Sequence, residues 1–434
     1  MLLDVAVAAF LDAILAQDQG GARAVLDTHP DLPSRSLHVA ATLGLPHECA
    51  RLITADPSLV HAKAGVPGAE PLLFLCYSPL HGESAEGDAG LLATARLLLD
   101  AGADPKTSDA RYHVPALYAV TGLRSVPAIA RLLLAAGANP TDGESLHHSA
   151  EHFHEDALEL LLEAGGDVNH VGEWGNTPLY FLLRWHDLAK EPRVRHGAEW
   201  LLAHGADPNV SCGLEQEQSL HVAAWRGQEP EIVQLLLDHG ADVHAVRGDG
   251  RTPWRLASRH GFNAIAALLE RVGARAEALS PADKLLAACG RGDAADARRL
   301  ASPDAIASLE PADQRLIVDA ASVGRWPTVL ACVAAGFDAN TFNEHQSTAL
   351  HHACLTGQIA VVHALLAAGA SVRLRDSVHA STPLGWTTFG ADHVGDASGD
   401  YPGCVRALLA AGAPREPDEY QPRRADVRAA LEGA

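Results

Sequence analysis

The chain has 434 residues, of which 47% are hydrophobic and 20% charged, and its formal net charge is −21 at neutral pH. That apolar content suffices to bury a continuous core, which excludes an intrinsically disordered chain. The negative charge repels phosphate backbones and anionic lipid, and no basic stripe offsets it, so neither nucleic acid nor a membrane surface is an expected partner.

The first stretch, MLLDVAVAAFLDAILAQDQGG, is apolar but interrupted by Asp4 and Asp12 and lacks a leading basic region. It reads as a capping helix over Leu2 to Leu15 rather than a signal peptide. No later apolar run reaches the length of a membrane span. The seven cysteines, Cys49, Cys76, Cys212, Cys289, Cys332, Cys354 and Cys404, include no C-x-x-C pair or metal-ligand spacing. They read as buried free thiols in a reducing compartment, so the expectation is a cytoplasmic protein.

From Ser36 onward one phrase recurs: SLHVAATLGLPHECARLI from Ser36, NTPLYFLLRW from Asn176, QSLHVAAWRGQEPEIVQLLLDHGADVHA from Gln218. It returns as RTPWRLASRHGFNAIAALL from Arg251, STALHHACLTGQIAVVHALLAAGA from Ser347 and STPLGWTTFG from Ser381. Each copy predicts two short helices. Thr252 and Pro253 suit a first helical turn, where Thr caps free amides and Pro loses no needed donor. Small residues such as Ala223 and Ala224 allow close packing, whereas Ile232, Val233, Leu235, Leu236 and Leu237 are too apolar for an uncovered helix. Gly240 ends the second helix in a left-handed conformation. One such pair is too short to be stable alone, so neighbouring copies must supply its core.

The helix-ending glycines mark the irregular copies. Gly205, Gly240 and Gly273 are 35 and 33 residues apart, and Gly336 and Gly369 are 33 apart. From Gly137 to Gly165 the interval falls to 28, with the loss in PTDGES, whereas from Gly165 to Gly205 it rises to 40 through RWHDLAKEPRVRHG. Similar enlargements follow Tyr77 (SPLHGESAEGDAG) and Thr388 (FGADHVGDASGDYPG). Between Leu279 and Asp313 the phrase fades, which suggests two blocks, 1–279 and 280–434, the second opening on a degenerate copy. A last helix near Ala425 to Leu431 caps the array.

These motifs resemble the ankyrin-repeat family, in the style of bacterial multi-repeat arrays, over nearly the whole chain. The resemblance implies an all-α solenoid of about ten to eleven helix-turn-helix units with short hairpin fingers. It also implies a non-catalytic scaffold that holds a partner protein or peptide on its concave groove and fingers, with no cofactor. His38, His147, His221 and His351 fall at the Leu-His start, where the family uses histidine to bridge neighbouring repeats.

His148, Glu151 and His152 are not explained by the repeat. They lie at i, i+3 and i+4 on one helix face, which the resemblance turns toward the groove. Their spelling, H-S-A-E-H, matches the inverted zinc motif H-x-x-E-H, in which two histidines hold zinc and glutamate activates water. The equivalent positions on neighbouring repeats, Ala119, Gly122 and Leu123 and then Phe181, Arg184 and Trp185, offer no usual third ligand. His113, His154, His170 and His186 lie in loops that could reach inward. The alternative function is therefore an enzyme or small-molecule-binding protein, possibly metal-dependent, centred on these three residues, although no metal is expected. Tyr77, Arg184, Trp185, Trp225 and Arg226 fall on groove positions, and Tyr112 and Trp174 on the fingers. Aromatic residues and arginine carry most binding energy at desolvated interfaces, so these residues with His148, Glu151 and His152 form the expected binding site. The shortened finger at PTDGES should leave the groove most open above His148. His352 and Trp386 occupy corresponding positions in the second block. No phosphate loop, dinucleotide fingerprint, nucleophile elbow or kinase motif set is present.

Overall fold

The computed structural model describes residues 2–65, 68–110, 113–395, 398–415 and 420–433. Among these residues the architecture is helical, and extended pairing is limited to isolated bridges such as Ser108 to Pro115 and Cys212 to Glu217 at the bases of fingers. The chain divides into two compact units, Met1–Gly250 and Arg251–Ala434.

In the first unit the recurring phrase becomes the recurring pair of helices. Thr177 accepts the backbone N–H of Tyr180 at 3.2 Å and starts the helix Pro178–Trp185. In the next copy, helix Ser219–Arg226 buries Leu220, Val222, Ala223 and Ala224, and helix Pro230–Asp238 buries Ile232, Val233 and Leu236. Each fully buried branched side chain contributes about 1.5–3 kcal/mol, so neighbouring copies supply the core that one pair lacks. Gly240 closes the second helix at φ +85°, the left-handed conformation its position predicts.

The Leu-His histidines are buried and tie the helices to the fingers. His221 Nδ1 accepts the N–H of Gln218 at 3.1 Å while Nε2 donates to Ala245 O at 3.1 Å. His351 repeats this between Thr348 N and Leu374 O. His38 places Nε2 near both Ala62 O and Ala69 O, and His147 bonds Asn176 O alone, leaving its buried Nδ1 without a partner. Burial holds His147 and His351 near pKa 4, so both rings are neutral at physiological pH.

A buried ion-pair network crosses the expected block boundary at Ser280. Arg259, only 4% exposed, donates to Asp283 at 2.9 Å and to Asp313 at 3.0 Å, and Arg255 also reaches Asp283 at 2.9 Å. Asp283 and Asp313 are themselves the N3 residues of capping boxes begun by Ser280 and Glu310. The packing is equally tight: a Cβ on Gly290 would lie 2.0 Å from His260 O. The copy that begins at Arg251 is thus bound to the degenerate copy after it. The capping helices appear at Leu2–Leu15 and Ala425–Glu432, and all seven cysteines are buried free thiols.

Candidate functional site

Helix Ser145–His152 is started by Asp142, whose carboxylate accepts the N–H groups of Glu144 and Ser145 at 2.9 and 2.7 Å. Leu146 and Ala150 face the core, which turns His148 and Glu151 to the opposite side. The His148 ring packs between Tyr118 and Phe181, with centroids 5.0 and 5.3 Å away and both contacts edge-on. Glycine is required at position 122, since a Cβ there would sit 2.8 Å from the His148 Cβ.

Five side chains form an alternating row of charge. His148 donates through Nδ1 to Glu151 at 2.6 Å and faces Glu144 through Nε2 at 3.3 Å. His186 faces the other Glu151 oxygen through Nε2 at 3.2 Å and Glu191 through Nδ1 at 3.0 Å. Burial alone would lower the pKa of His148, but the two carboxylates outweigh it and raise the ring to about 9. Glu151 feels the opposite balance: burial pushes it up, and His148 and His186 hold it well below the usual carboxylate range. Glu144 is lowered in the same manner by His148 and Trp174, and His186 is raised chiefly by its bond to Glu151. At neutral pH His148 is therefore a cation between Glu144 and Glu151, and Glu151 in turn favours the charged form of His186.

Beside it lies an arginine and tryptophan cluster. The Arg184 guanidinium lies over Trp185 at 5.6 Å and over Trp225 at 5.2 Å, and Arg226 lies over Trp225 at 5.9 Å. Buried Glu217 anchors the group, accepting from Tyr180 Oη at 2.8 Å, from Arg184 at 3.4 Å and from Arg247. Trp185 remains 57% exposed.

Of the residues expected from sequence, His148 and Glu151 come together, as do Arg184, Trp185, Trp225 and Arg226. Tyr77 reaches the row through Tyr118, 6.4 Å away ring to ring. His152 leaves the trio: its Nδ1 lies 3.0 Å from His148 O, and its ring stacks on His154. Tyr112 lies outside the described residues. Trp174 is 70% exposed, yet its indole N–H donates to Glu144 at 2.7 Å, so the finger that follows PTDGES reaches back across the shortened one. The His148 side chain, between Tyr118 and Phe181, is 24% exposed. Among the described residues no group of three or more His, Cys, Asp and Glu side chains is disposed to hold a metal ion.

Glu144, His186 and Glu191 are the partners that sequence reasoning left out or left open. Glu144 was detectable as the residue four before His148, one turn earlier on the same face. His186 was only one of four loop histidines, and Glu191 belongs to an insertion whose path the repeat does not define.

Comparison with known proteins places this site within recognised repeats. A family described as "Ankyrin repeats (3 copies)" matches residues 185–279, "Ankyrin repeats (many copies)" matches 146–191, and "Ankyrin repeat" matches 345–377. The chain is 31% identical over 114 residues to cyclin-dependent kinase 4 inhibitor B of Rattus norvegicus, covering 26% of this chain and 81% of that one. It is 30% identical over 172 residues to ankyrin repeat and SOCS box protein 16 of Homo sapiens, covering 30% of this chain and 36% of the relative. E3 ubiquitin-protein ligase KEG of Arabidopsis thaliana is 29% identical over 291 residues, 62% of this chain and 17% of that protein. The matched segments thus span well under half of these last two relatives. The human ASB11 ankyrin repeat domain is similar to it with a TM-score of 0.41 and 22% identity, covering 56% of this chain and 99% of that one.

Proposed function

The chain belongs to the ankyrin-repeat family, and on that premise we propose that it is a non-catalytic recognition scaffold holding a partner protein or peptide in the groove of its first unit. The observation that carries this reading is the Arg184 guanidinium held over two indole faces and anchored on buried Glu217. A cation fixed in this way needs little ordering on binding, and its planar edge suits a carboxylate flanked by apolar atoms. Exposed Trp185 and Trp174 supply apolar area of the kind that becomes a hot spot once covered. The row from Glu144 to Glu191 serves as the rigid floor. An imidazolium with a pKa near 9 is already protonated at neutral pH, so His148 is badly placed to act as a general base there.

The test is affinity capture from the native lysate with wild-type chain, Arg184→Ala and Trp185→Ala, followed by binding measurements on whichever protein is enriched. Each substitution should weaken binding at least about tenfold, as hot-spot truncations do. Trp185→Ala should change stability by no more than about 0.5 kcal/mol, since the side chain is largely exposed. Unchanged binding in both variants would sink this reading.

A further inference from the structure

Three successive fingers of the first unit carry a ridge of apolar side chains that stands apart from the groove helices. Of the seven large apolar side chains exposed among the described residues of this unit, four lie on these fingers: Val171 and Trp174, then Leu214, then Val246. Trp174 is 70% exposed and Leu214 fully so. The first two fingers end in the same device. Gly175 N donates to Gly172 O at 2.9 Å and Gln216 N to Gly213 O at 3.3 Å, so Glu173 with Trp174 and Leu214 with Glu215 are the central pairs of two tight turns. Each tip thus pairs one apolar side chain with one carboxylate. Central turn positions face outward and contribute nothing to the core, so the repeat itself does not call for Trp or Leu there.

The ridge is held at its base and at its tips. At the base, the Asn169 amide donates to Gly205 O at 2.9 Å and accepts Asp207 N at 2.7 Å, and Asn209 repeats this with Gly240 O and Asp242 N at the same distances. At the tips, Gly213 N donates to Gly175 O at 2.8 Å and Gly248 N to Glu215 O at 2.6 Å. The Trp174 indole is fixed by its bond to Glu144 at 2.7 Å. The fingers are therefore ordered before a partner arrives, which lowers the entropic cost of docking. Their tip backbone groups are spent on one another, so the ridge offers side chains rather than a strand edge. That suits a helix, whose own backbone bonds are internal.

Charge selects the helix. The fingers within 139–145, 166–177, 205–218 and 240–250 hold nine carboxylates, one arginine and no lysine. That arginine, Arg247, is paired with Glu217 and Asp249. Glu173 and Glu215 are exposed and meet no cation among the described residues. With the first unit read as a recognition scaffold, we propose that its finger ridge docks a basic amphipathic helix of the partner protein. The apolar stripe of that helix covers Trp174, Leu214 and Val246, and lysine or arginine on its flanks pairs with Glu173 and Glu215. A second copy of this chain is a poor occupant, since two such ridges bring like charges together.

The test is fluorescence anisotropy of the full chain titrated into a labelled peptide of about five helical turns, with leucines at i, i+3, i+4 and i+7 and lysines between them. A second peptide carries glutamate for lysine, and a third scrambles the order so that no apolar stripe remains. Wild type should bind the lysine peptide saturably, one per chain, and each of the others at least about tenfold more weakly. Leu214→Ala should weaken the lysine peptide at least about fivefold, and Glu173→Gln combined with Glu215→Gln at least about threefold. All three are exposed turn residues, so these variants should fold. No saturation below about 100 µM, equal binding of the three peptides, or undiminished binding in the Leu214 and glutamine variants would each overturn the proposal. The scaffold reading falls separately, only if Arg184→Ala and Trp185→Ala keep full binding of the captured partner. Sedimentation showing wild type to dimerise and Leu214→Ala to be monomeric would assign the ridge to a second copy and equally overturn the proposal.

Discussion

Replacing His148 with Gln removes the charge from the middle of the row while keeping a side chain of similar length. In the folded protein the ring titrates near 9, against an ordinary value of 6.5. A raised histidine contributes its full stabilisation below the unfolded value and loses it as pH climbs through the folded one. The difference corresponds to about 3 kcal/mol below pH 6, about 2 kcal/mol at pH 7.4 and almost nothing by pH 10. The ring is about a quarter exposed, so solvent and salt trim the observable effect to about 1–2 kcal/mol at neutral pH. Urea unfolding followed by far-UV circular dichroism, on wild type and His148→Gln at intervals from pH 6 to pH 10, measures it. Comparison at each pH cancels the titration of other groups. The gap between the two proteins should close steadily toward pH 10. A gap independent of pH would show that packing against Tyr118 and Phe181, not charge, holds the ring, and the row of alternating charge would lose its energetic meaning.

Two further outcomes follow from the second unit. Arg259→Met leaves Asp283 and Asp313 buried without their main counterion and should destabilise this unit by about 3–5 kcal/mol, read by thermal unfolding; a loss under 1 kcal/mol would mean that water replaces the guanidinium. A fragment ending at Gly250 should unfold cooperatively and resist protease. One ending at Leu279 should show rapid proteolysis after Arg251, because that copy has lost Asp283 and Asp313; equal resistance of both fragments to limited digestion would place the joint at 280.

Much of this protein was legible without coordinates. Thr177 and Thr252 before Pro178 and Pro253 start helices, and Gly240 stops one, because capping and left-handed turns depend on residues within a few positions. The apolar spacing of Ile232, Val233 and Leu236 then demands a neighbour, and a recurring interval near 33 supplies one. That logic also placed His148 and Glu151 on one helix face. What it could not reach were bonds between copies whose register depends on irregular loops. His186 meets Glu151 only because the insertion after Trp185 turns back, and Trp174 meets Glu144 only because PTDGES is short. The network around Ser280 was hidden for the same reason: Arg259 is 24 residues from Asp283 and 54 from Asp313, and no local pattern reveals that three such distant charges share one buried network. Local hydrogen bonding and periodicity are written into neighbouring residues, whereas long-range pairing depends on where each loop delivers the next helix, which only the folded chain decides.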